Sequence, residues 1–139
     1  NNSEAGKDLK LKISKKNNDL QTEINKFKTE IDEKRKKILS QKNVLSADEY
    51  NNKVKSLEQQ VKKINSIIST KRDSLKAYQT KIENSFSNNL NNLIEEYSDQ
   101  NSIDIILNKK DLLMAKKELD ITEKIFNLFN ERIKKIIIK

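Results

Sequence analysis

The chain has 139 residues, of which 34% are hydrophobic and 36% charged, with one Gly and no Pro, Cys, Trp or His. That length suits one domain, that polarity excludes a large globular core, and the missing Cys excludes disulfides and thiolate metal sites. Lys and Arg number 29 against 21 Asp and Glu, a net charge of +8 that favours acidic partners.

A chain without proline and almost without glycine has few built-in breaks, so long uninterrupted helices are allowed. No apolar run approaches the ~18 residues of a membrane-spanning helix. No signal-peptide pattern is present, as in an exported protein after processing. The basic excess falls mostly on residues 1–46, with 12 basic and 7 acidic side chains. Richness in Lys, Asn and Ile is also what an AT-rich genome produces, so the charge has a functional reading and a compositional one.

The first predicted element is a long helix. With Ile24 at heptad position a, Ile31 and Ile38 follow at a, and Ile13, Leu20 and Phe27 occupy d. A second long helix carries Val54, Val61, Ile68, Leu75 and Ile82 at a, with Leu57, Ile64 and Tyr78 at d. Apolar seams sustained over four to five heptads predict coiled-coil packing. Between them, Ser46 followed three residues later by Glu49 is a capping-box pattern that starts the second helix. If the chain reverses near Asn43–Ala47, facing residues have a constant sum: 92 for Ile24 with Ile68, 91 for Phe27 with Ile64. Residues 1–98 are therefore expected to form one antiparallel helical hairpin, an arm with its tip near 43–47. Asn17 opposite Leu75 and Leu20 opposite Lys71 are weak layers where the arm is expected to bend.

Beyond Ser85 the apolar phase shifts to Phe86, Leu90, Leu93, Ile94 and Tyr97. This stripe is expected to pack against something other than the first helix, and to be left uncovered in a monomer. "SDQNS" after Tyr97 is expected to break the helix. Residues 99–139 form the second predicted region. "IDIIL" (103–107) and "LLMAK" (112–116) have the β propensity of strands, joined by the turn "NKKD". Asp120 is the expected N-cap of a last helix over about 121–133, with Ile121, Ile125, Leu128 and Phe129 on one face. "KKIIIK" at the end is ambiguous between helix end and strand. The expected fold is thus mainly α with a small β part. A two-stranded hairpin is marginal alone. Ile103, Ile105, Leu107, Leu112 and Met114 are therefore candidates for an oligomerisation body, or for an ordinary intrachain core.

Two signatures resemble the Skp/OmpH family of periplasmic chaperones. One is "NSEAGKDL" (Asn2–Leu9) at the start of the first long helix. The other is "IDIILNKKDLLMAKKELDITEKIFNLFN" (Ile103–Asn130), above all the strand pair followed by Asp120-Ile121-Thr122 and a short apolar helix. The resemblance spans nearly the whole chain. It implies a homotrimer shaped like a jellyfish, in which strands of three subunits make a small β body and three helical arms enclose a cavity. It implies a holdase that works without ATP on unfolded outer-membrane β-barrel proteins in the periplasm. It also implies an apolar strand upstream of the first signature. There is no room for one before Asn1, so that strand is expected to be missing from this chain.

Lys10, Lys12, Lys15, Lys16, Lys34, Arg35, Lys36 and Lys37 are candidates for contact with acidic clients or, weakly, with anionic lipid surfaces; a solvated face is their ordinary reading. No catalytic residue, cofactor or metal ligand is expected. Nucleic acid is not an expected partner, because the aromatics fall on apolar seams rather than basic faces. The competing function is a structural coiled-coil spacer or adaptor without chaperone activity.

Overall fold

The structure, a computed structural model, describes residues 3–134. Helix α1 spans Glu4–Ser40, α2 spans Ala47–Gln100 and α3 spans Thr122–Arg132. Two short 3₁₀ turns, Lys109–Asp111 and Lys117–Leu119, lie between α2 and α3. The described chain divides into two compact units: residues 14–77, and residues 3–13 together with 78–134.

The first unit is a two-helix hairpin. Its turn is fixed by backbone bonds from Gln41 N–H to Ile38 O and from Leu45 N–H to Gln41 O, at 3.1 and 3.0 Å. Ser46 and Glu49 then cap α2 reciprocally. Ser46 Oγ accepts from the Glu49 N–H at 3.3 Å, and Glu49 Oε2 accepts from the Ser46 N–H at 3.1 Å. The Ser46 hydroxyl, which donates to Glu49 Oε2 at 2.7 Å, and after it the Ser46 N–H hold the Glu49 carboxyl below its usual range. Leu20, Ile24, Phe27, Ile31 and Ile38 of α1 and Val54, Leu57, Val61, Ile64, Ile68 and Leu75 of α2 are the half-buried apolar residues of the two helices. None is fully buried, because two helices cover only one face of each other. Each contributes a fraction of the ~1.5–3 kcal/mol of complete burial.

Polar cross-links flank this seam. Lys71 Nζ donates to Glu23 Oε1 at 2.6 Å, Lys34 Nζ to Gln60 Oε1 at 2.9 Å, and Lys53 Nζ to Gln41 Oε1 at 2.8 Å. The numbers of each pair share one sum, 94, the signature of antiparallel neighbours. Lys71, expected opposite Leu20, and Lys34, seven residues on from Phe27, are both exposed, and their ammonium groups reach a polar partner on the facing helix.

The second unit holds the fully buried side chains. Ser3 caps α1, its Oγ accepting from the Gly6 N–H at 3.1 Å. Ala5 and Leu9 of α1, Ile82 and Leu93 of α2, and Ile125 and Phe129 of α3 make the core. Phe86, Leu90, Ile94 and Tyr97 of α2 and Leu128 of α3 close around it. The rings of Phe86 and Phe129 lie 5.1 Å apart at 50°. Asn130 Oδ1 accepts from the Glu4 N–H at 3.0 Å, and Arg132 reaches Glu96 at 2.6 Å. This corrects the expectation of an uncovered stripe. The phase shift at Phe86 turns α2 toward α3 of the same chain, and the first turns of α1 share in the contact.

Helix α2 ends at Gln100, inside "SDQNS". It ends where Ser102 adopts a left-handed φ of 53°, the Ser102 N–H bonds Asp99 O and the Ile103 N–H bonds Ser98 O. This is the Schellman arrangement with Ser in glycine's usual place. Two further expectations are corrected. The β-hairpin over 103–107 and 112–116 does not form: there is no strand among the described residues. The ends of "NKKDLLMAKKELD" are drawn together by Lys109 and Asp120 instead, at 2.6 Å, and two 3₁₀ turns replace the ladder. A lone two-stranded ribbon has no third strand or helix to hide its face, so nothing opposes this. Finally, α3 begins at Thr122 with Ile121 in the cap position. Asp120 sits one residue further out, accepting the Thr122 N–H at 3.1 Å. Of "KKIIIK", all but Lys134 lies outside the described residues.

Two substitutions test this packing. Phe129→Ala should cost about 3–5 kcal/mol in urea unfolding, as for a large buried aromatic. Amide protection should fall across residues 82–97 and persist across 24–68. Ser102→Gly should stabilise by about 0.5–1 kcal/mol, because glycine enters the left-handed region without the Cβ clash. A lower melting temperature for that variant would contradict the cap.

Candidate self-association and client-binding surface

Among the described residues no group of three His, Cys, Asp or Glu side chains could hold a metal ion. No helix among them is long and apolar enough to cross a membrane. What stands out is apolar surface in the segment between α2 and α3.

Five body candidates were placed in that segment by the sequence. Ile103 is half-buried and tied to α2, with Ser98 Oγ donating to Ile103 O at 2.5 Å. Ile105 is 74% exposed, Met114 is 90% exposed, and Leu107 and Leu112 are also exposed. Ile106, Leu113 and Leu119, which strand alternation did not select, are exposed as well. The missed signal is the unbroken apolar runs "IIL" and "LLM", which mark backbone that buries both faces rather than one. So many exposed apolar side chains on a polar chain make this segment a candidate interaction surface.

The loop that carries Leu112, Leu113 and Met114 is held at its ends. Lys109 Nζ meets Asp120 Oδ2 at 2.6 Å, and the Thr122 N–H bonds Asp120 Oδ1. The Lys109 bond first, and those of Thr122 next, hold the Asp120 carboxyl far below the usual carboxylate range. The same contact raises the Lys109 ammonium above its ordinary value. The two shifts agree in sign, as a real pair requires.

The basic candidates are not gathered into one site. Lys10 and Lys12 belong to the three-helix unit, and Lys15, Lys16, Lys34, Arg35, Lys36 and Lys37 to the two-helix unit. All are exposed. Lys12 pairs with Asp8 at 2.7 Å, and Lys34 is engaged with Gln60. The seam candidates Ile13 and Tyr78 lie half-buried against the three-helix core, whereas the other eleven line the two-helix seam.

Comparison with known proteins follows this geometry. A family model described as outer membrane protein (OmpH-like) matches residues 1–129. The fold is similar to the crystal structure of a candidate outer membrane chaperone (OmpH-like) from Caulobacter crescentus CB15. The TM-score is 0.89 at 17% identity, covering 98% of this chain and 80% of that one. No curated protein matches the chain.

The loop clamp has a pH sign. A carboxyl whose pKa is lowered on folding stabilises above its ordinary value, ~3.9, and loses that contribution as pH falls through the lowered one. Asp120→Asn should therefore speed amide exchange over residues 109–122 at neutral pH. In the unmodified chain the same loosening should begin only in strongly acidic solution. Equal exchange in both proteins at pH 7 would mean that the pair does not hold the loop.

Proposed function

We propose, for a chain that belongs to the Skp/OmpH family of OmpH-like proteins, a holdase function: binding unfolded outer-membrane β-barrel proteins in the periplasm without ATP. A chaperone role in general is supported by the family and by the fold shared with a candidate outer membrane chaperone. The observation that carries the finer reading is the exposed apolar segment around Ile105–Met114. A single chain leaves it in water, and strands of three copies would cover it. Residues 103–107 and 112–116 of each subunit are thus assigned to a shared β body, which makes the protein a homotrimer. Ile105, Leu107, Leu112 and Met114 would face that body, and Ile103 would anchor it to α2.

The helical hairpins would then surround a client. A two-helix seam that nowhere buries a side chain fully is easily deformed, and mixed apolar and basic surface suits many sequences. The exposed lysines of α1 would attract acidic clients and, weakly, anionic lipid. No residue is assigned a catalytic role or a cofactor.

Two measurements test this reading. Sedimentation of the full chain should give a trimer, and replacing Ile105 and Leu112 together by Asp should return it to monomer with its helicity retained. An intact trimer after both substitutions would remove the body from this segment. In parallel, the protein should suppress aggregation of a diluted unfolded β-barrel membrane protein without nucleotide. A coiled-coil spacer would assemble yet leave that aggregation unchanged.

A further inference from the structure

The chemistry of oxidation converges on one side chain. The sequence holds no Cys, no Trp, no His and a single Met. Two-electron oxidants of the peroxide class react readily with sulfur, so the Met114 thioether is the one fast target in the molecule. It is 90% exposed, next to the exposed Leu113. The reagent therefore meets it without any unfolding.

Position makes that reaction consequential. In the strand proposed for residues 112–116, residues two apart would share a face, which would put Met114 on the face of Leu112. We propose that Met114 is an oxidation site that controls self-association of this chain. This rests on the assignment of residues 112–116 to the shared body. The sulfur lone pair attacks one peroxide oxygen, an S–O bond forms and the O–O bond breaks. The other oxygen leaves as hydroxide and is protonated to water. Sulfur is oxidised by two electrons and the peroxide is reduced. The product is a sulfoxide, a strong hydrogen-bond acceptor at the end of a formerly apolar side chain.

An acceptor of that kind has no donor among Ile105, Leu107 and Leu112. Burying it unpaired costs enough to weaken association by about tenfold or more. Linkage requires the reverse effect as well: chains already assembled shield the sulfur, so oxidation slows as protein concentration rises. The chain thus carries a stoichiometric sensor, one sulfur per subunit. Small amounts of oxidant would first trap the dissociated chains.

The test uses the full chain and hydrogen peroxide. Mass spectrometry should find one added oxygen per chain, at Met114, appearing more slowly in concentrated than in dilute solution. Sedimentation of the oxidised protein should show association weakened about tenfold or more, and Met114→Gln should do the same without peroxide. Met114→Leu should assemble like the unmodified chain and be indifferent to peroxide. If the reduced chain assembles, but the oxidised chain and the Gln variant assemble equally well, this inference falls and the body assignment stands. If the reduced chain is monomeric at every concentration, the body assignment falls, and this inference with it.

Discussion

Two helices laid side by side can hide only one face of each other, and most of this structure answers that constraint. In residues 14–77 no apolar side chain is fully buried, and the seam is supplemented by polar cross-links at its edges. Where full burial does occur, a third helix has been added. The same α2 supplies one wall of the two-helix seam and one wall of the three-helix core. The change of role begins at Tyr78 and Ile82, still in the first phase, and the phase shift at Ser85 and Phe86 carries it on. Small residues assist: Ala5 and Gly6 at the start of α1 are both buried.

The segment between α2 and α3 obeys the same constraint from the other side. It has strand composition but no surface against which to form a sheet within one chain. Its backbone therefore settles into two tight turns clamped by Lys109 and Asp120, with its apolar side chains outward. A polar chain that displays such a run leaves apolar surface in water. That surface, more than any single residue, is what the proposed self-association and chaperone work rest on.

How much of this was legible in the sequence depends on the range of the interaction. Helical character was legible, because seven-residue spacing of Ile, Leu and Val needs only local counting. The Ser46–Glu49 cap was legible for the same reason, since both partners lie within one turn. The docking of Ile125 and Phe129 on Ile82 and Leu93 was not. A stripe tells which face is buried but not what covers it, and helix one was wrongly ruled out as part of the cover. Counting fixes only the Cα of a lysine at a seam position; the polar partner its long side chain reaches, Glu23 for Lys71 and Gln60 for Lys34, is not in the pattern. The strands are absent from the single chain for a third reason: propensity describes a backbone's preference, and pairing requires a partner that one chain alone does not supply.

The bond from the Glu4 N–H to Asn130 joins residues 126 apart in sequence. Ala5 and Leu9 likewise meet side chains from the far end of the chain. The core of the three-helix unit therefore cannot close until almost all of the polypeptide is present, whereas the hairpin of residues 14–77 needs only its own turn. Loop closure over so long a span is slow compared with zipping a local seam. A chain emerging into a compartment start first would form its hairpin early and lock its two ends together last. Until that final step, the stripe from Ile82 to Tyr97 is itself an exposed apolar surface. The chain thus starts with the kind of apolar exposure that the proposed function would have it cover in other proteins.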